Sequence, residues 1–116
     1  MNEFLLIFRS QANPDMPAPT VEQMQTVSKE WVDWMQKLTE QQKLVSRGNR
    51  LHGDGRVVKP QGIVTNGPYV EIKEAIGGYT VISASSLDEA AETAKSCPIF
   101  NVGGTVEVRE LVAVKM

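Results

Sequence analysis

The chain has 116 residues, with 12 lysines and arginines against 14 aspartates and glutamates and a formal net charge of −2. That length suits one domain with a real core, residues 1–116, and is too short for two. The scattered, balanced charge excludes a basic stripe, so nucleic acid is not an expected partner; the lone Cys97 excludes an intrachain disulfide and fits a reducing cytoplasm.

Glu3 leads into Phe4-Leu5-Leu6-Ile7-Phe8, an apolar run too short for a signal core or a membrane span. It reads as a strand buried from both sides, with Phe4, Leu6 and Phe8 on one face and Leu5 and Ile7 on the other. Pro14, Pro17 and Pro19 then mark a loop. Thr20, with Gln23 three residues on, has the capping-box pattern of a helix start. Val21, Met24, Val27, Trp31, Trp34 or Met35, and Leu38 follow at three- and four-residue steps, one apolar stripe that predicts core packing. The helix fades near Leu44, with Gly48 as its stop signal.

Arg50-Leu51-His52 reads as a short strand end and Gly53-Asp54-Gly55 as a loop. Arg56-Val57-Val58 and Ile63-Val64-Thr65 form the arms of a hairpin around Lys59-Pro60-Gln61-Gly62, with proline at the second turn position. Asn66-Gly67-Pro68 stops the second arm, since Pro68 has no N–H for a ladder. A charged cluster, Glu71, Lys73 and Glu74, precedes Gly77-Gly78 and the strand Tyr79-Thr80-Val81-Ile82. Two glycines before a strand mean a sharp bend or a close backbone approach. The corner is either purely structural or the frame of a pocket with the charged cluster on its lip. Ser86, with Glu89, caps a second helix whose inner face is Leu87, Ala90, Ala91 and Ala94, and which Pro98 ends. Gly103-Gly104 opens a last strand over residues 105–115, with Val106, Val108, Val112 and Val114 on one face.

The order β, α, β-hairpin, β, α, β is the ferredoxin-like split βαβ: an α+β fold whose antiparallel sheet carries two helices on one face. Two helices cover one face only, yet the first strand is apolar on both. A second copy packed sheet to sheet in a twofold homodimer is the expected cover.

The stretch N-G-P-Y-x-E-x-K-E-x-x-G-G-Y resembles the signature of the DGPF proteins in the YCII-related family. Ser86-Leu87-Asp88-Glu89-Ala90, Cys97-Pro98 and Gly103-Gly104-Thr105-Val106-Glu107-Val108-Arg109 resemble the same family's C-terminal half. The likeness spans residues 47–109. Asn66 stands where the family's name-giving aspartate would, so that position carries no carboxylate, and Tyr69 replaces phenylalanine. The resemblance implies a dimeric α+β barrel. It also implies one alternative role, a non-catalytic regulatory or protein-interaction module associated with transcription sigma factors.

His52 is the only histidine, and Asp54 lies two residues away, close enough to orient or charge the imidazole as a general acid/base pair. Lys73 is placed to hold an anion and Glu71 or Glu74 to take a proton; Asn66 and Tyr79 complete the candidate ligand-binding set. Cys97 sits before Pro98 at a helix end, where the dipole disfavours a thiolate. One histidine and one cysteine, far apart, give no metal-ligand spacing, and no phosphate-cradling glycine motif occurs. The expectation is a cytoplasmic homodimer with a pocket for a small organic molecule, open to acid/base chemistry without a metal or organic cofactor.

Overall fold

The structure is a computed structural model and describes residues 1–9, 20–67 and 76–114. Strand β1 runs Asn2–Arg9 and helix α1 Val21–Glu40; β2 is Leu44–Ser46, β3 Arg56–Lys59 and β4 Ile63–Asn66. Strand β5 is Ile76–Ala84, helix α2 Leu87–Ala94 and β6 Thr105–Glu110. The main sheet is four-stranded, in the order β2-β5-β1-β6, and its pairings are antiparallel. Both helices pack on one face of it, the ferredoxin-like α+β arrangement expected from the element order.

Register fixes the two faces. Phe4 lies opposite Ile82 and Glu110, Leu6 opposite Thr80 and Val108, and Phe8 opposite Gly78 and Val106. Phe4, Leu6 and Ile82 are wholly buried here, against Leu38 and Trp34 of α1 and Ala90 and Ala94 of α2. Each such side chain contributes about 1.5–3 kcal/mol. The alanines let α2 lie close to the strands. Thr80, also wholly buried, is satisfied by donating its hydroxyl to the Arg47 carbonyl at 3.0 Å. Leu5, Ile7, Tyr79 and Val81 share the opposite face, which neither helix covers, and are half-buried. Arg9 and Glu107 pair at 3.1 Å on that face, and Arg109 meets Glu107 at 3.2 Å.

Both helix starts fall where the sequence places them, but only the first closes its capping box. Thr20 accepts from the Gln23 N–H while the Gln23 side chain accepts from the Thr20 N–H, a complete capping box. Ser86 accepts from the Glu89 N–H. The Glu89 carboxylate turns back to the Ser85 N–H and hydroxyl, which hold its pKa below the ordinary glutamate value.

Four expectations need correction. Helix α1 ends at Glu40 rather than near Leu44, because Gln42 takes a left-handed φ of 58° and turns the chain into β2. The stripe on α1 is core only in its C-terminal half: Trp34 and Leu38 are buried, whereas Met24 is 56% exposed and Val21 more so. Leu87 lies in the exposed first turn of α2, and Thr93 takes a buried place beside Ala90 and Ala94. Strand β6 stops at Glu110, although the Leu111 N–H still donates to the Glu3 carbonyl at 2.9 Å; Val112 and Val114 are exposed.

The β3–β4 hairpin forms as expected, Arg56 opposite Asn66 and Lys59 opposite Ile63, but as a separate two-stranded sheet. Gln61 and Gly62 take positive φ at its turn. Val58, Ile63 and Val64 are exposed on its arms.

Candidate functional site

The segment 47–51 runs alongside the start of β5 and makes a glycine-dependent crossing. Asn49 accepts from the Tyr79 N–H at 3.2 Å, the Leu51 N–H donates to Gly77 at 2.9 Å, and Arg50 bridges Gly78. Gly48 makes this approach possible: its φ is +68°, and a Cβ there would lie 1.8 Å from the Tyr79 carbonyl oxygen. A Cβ on Gly78 would sit 2.9 Å from the Asn49 carbonyl oxygen. The double glycine is thus a site of close backbone approach, one of the two readings its sequence allows.

Gly78 faces the helices, in register with Phe8, and supplies no side chain under the N-terminal half of α1. The space left is a cleft of about 700 Å³. Its α1 wall includes Met24, Val27, Trp31 and Met35, and its opposite wall Arg47, Asn49, Arg50 and Tyr79. The Trp31 ring meets the Phe8 ring edge-on at 5.0 Å and the Trp34 ring at 5.7 Å, so its orientation is set by packing. The Trp34 indole N–H donates to the Ser96 hydroxyl at 2.9 Å and anchors the far side of this cluster. The Asn49 amide lies 3.4 Å from the Tyr79 hydroxyl. A cleft of this size, apolar with a few converging polar groups, has the proportions of a small-molecule site.

Residues 6–115 match the YCII-related domain. The chain belongs to the YCII-related family. The match takes in nearly the whole chain, well beyond residues 47–109, where the motif likeness is concentrated. A comparison with curated protein sequences finds no match.

In this YCII-related chain the residues nominated from sequence do not gather at one place. Tyr79 lines the cleft. Asn66 ends β4, exposed on the hairpin and paired across to Arg56, and is not among the residues around the cleft. Glu71, Lys73 and Glu74 lie outside the described residues. His52 and Asp54 sit on the loop before β3, with side chains 84% and 89% exposed. The Asp54 N–H donates to His52 Nδ1 at 3.0 Å. The Asp54 carboxylate lies 3.9 Å from the same nitrogen.

Cys97 is buried, and desolvation pushes its thiol up to about 11, so it is no nucleophile near neutral pH. Among the described residues no group of three or more His, Cys, Asp or Glu side chains is placed to hold a metal ion. No described helix is long and apolar enough to cross a membrane. Arg47, Asn49 and Arg50 escaped the sequence reading. Their signal was Arg-Gly-Asn-Arg, two arginines around a glycine just upstream of the family motif, and only the pairing with β5 brings them to Trp31.

Proposed function

We propose that this YCII-related protein is a homodimer that binds a small organic molecule in the cleft between α1 and the glycine-rich start of β5. The observation that carries the reading is the cleft itself. About 700 Å³ of space is walled by Trp31, Phe8 and two methionines on one side and by residues 47–50 and 77–80 on the other. The dimer is supported by the uncovered sheet face, where Leu5, Ile7 and Val81 are bracketed by the Arg9–Glu107–Arg109 cluster, an apolar centre with a charged rim. Binding of this kind needs no metal or organic cofactor.

The test is a thermal-shift screen of small organic compounds, with mass spectrometry of molecules released from the purified protein. A compound that raises Tm for the native chain and not for Ser28→Trp, which fills the cleft from exposed α1, supports the reading. No stabilising compound and no released molecule overturns it. Sedimentation of Leu5→Asp tests the dimer separately: a dimeric parent and a monomeric variant are expected, and a monomeric parent at micromolar concentration refutes it.

A second reading, a non-catalytic interaction module, is favoured by the β3–β4 hairpin, whose Val58 is 71% exposed beside Ile63 and Val64. A two-stranded hairpin is marginal on its own and gains from a partner surface. Co-purification of one reproducible protein, lost in Val58→Lys with Ile63→Lys, would separate this role from ligand binding.

A further inference from the structure

We infer that the ligand of the cleft is an organic carboxylate with an aromatic body, its head held by Arg47 and Arg50 and its ring lying along the Trp31 wall. This deepens the proposed function and rests on the cleft being a ligand site. The described lining residues include two arginines and no aspartate, glutamate or lysine. The whole chain carries net charge −2, so the positive sign belongs to the cleft and not to the surface at large.

The other three arginines have partners. Arg9 and Arg109 bind Glu107, and Arg56 donates to the Gly55 carbonyl. Arg47 and Arg50 have no ion pair or side-chain hydrogen bond to any described residue. Two unpaired guanidinium groups, three residues apart beside apolar walls, offer fork-shaped donors that match a carboxylate in two-point contact. Their backbone is fixed by the Gly48 crossing: the Arg47 carbonyl accepts from Thr80, and Arg50 bridges Gly78. The loss of freedom on binding is therefore confined to the side chains. Opposite them, Trp31 is held edge-on by Phe8, and Met24 and Met35 supply polarizable thioethers that suit an aromatic ring.

The experiment compares 1-naphthoate with neutral 1-naphthamide, a pair equal in ring and nearly equal in size. Calorimetry reads affinity, and the Trp31 indole N–H cross-peak, assigned with Trp31→Phe, reports location. The naphthoate is expected to bind at least tenfold more tightly, to shift the Trp31 signal, and to weaken as sodium chloride is added, whereas the amide does not. Arg47→Gln with Arg50→Gln is expected to bring the naphthoate down to the amide's affinity while leaving the amide and Tm unchanged; both side chains are exposed, so folding is not at issue. Equal affinity for the two compounds, or no effect of the double variant, overturns the carboxylate assignment and leaves the cleft as a binding site for neutral molecules. Absence of a Trp31 shift with these two compounds and with every compound of the thermal screen overturns both readings.

Discussion

Gly48→Ala puts the whole site to the test through one methyl group. The left-handed φ of +68° costs an L-residue about 1–2 kcal/mol. The new Cβ would also fall 1.8 Å from the Tyr79 carbonyl oxygen, a separation that real atoms do not reach, so the 47–51 segment must lift off β5. Lifting it endangers the Tyr79–Asn49 and Leu51–Gly77 hydrogen bonds, each contributing about 0.5–1.5 kcal/mol. The expected total is about 2–5 kcal/mol, or roughly 8–20 °C in Tm for a chain of this size. Urea denaturation with linear extrapolation measures it. Gly53→Ala is the matched control, because a Cβ there meets nothing within 4 Å, and its change is expected within about 0.5 kcal/mol. If the two variants agree to within about 1 kcal/mol, the crossing is soft and the reasoning that builds the cleft from it is refuted.

Three further outcomes are expected. Trp34→Phe removes the indole donor to Ser96 and should lower stability by about 1 kcal/mol in the same denaturation assay, with far-UV circular dichroism unchanged. The Arg109 and Arg9 hydrogen bonds hold the Glu107 carboxyl below the ordinary glutamate range. A depressed folded pKa means stability that is present above the unfolded value of about 4.3 and is lost as pH falls through the folded value; the gap between the parent and Glu107→Gln should be constant near pH 7 and shrink in acid. A gap independent of pH down to acid unfolding would show that the cluster is not coupled to folding. The Cys97 thiol, raised to about 11 by burial, should resist iodoacetamide at pH 8 in the folded protein and react at once in urea, as read by mass spectrometry.

Much of the fold was legible because it is written in local chemistry. The Thr20–Gln23 and Ser86–Glu89 pairs announce their helices, and Phe4, Leu6 and Phe8 alternate as a strand must. Strand β2 was not legible. Leu44–Ser46 has only three residues, its pairing partner is near residue 82, and the turn before it depends on a left-handed glutamine that no sequence rule favours. Gly48 looked like a helix stop because a lone glycine after an apolar stripe usually is one; its positive φ instead serves a contact with a residue 31 positions later. The same distance hid the site. Tyr79 was found through its motif, while Arg47 and Arg50 gain meaning only when β5 is laid beside them. His52 and Asp54 drew attention as residue types, and the fold leaves them on an exposed loop.

Strand β1 lies at the middle of the sheet, hydrogen-bonded to β5 on one edge and to β6 on the other, and both neighbours come late in the chain. Phe4 must wait for Ile82 on one side and for Glu110 on the other. During synthesis this greasy segment therefore emerges long before anything exists to pair with it, and loop closure over such separations makes for slow folding. The order of the strands alone therefore sets an interval in which an apolar, unpaired strand is open to aggregation.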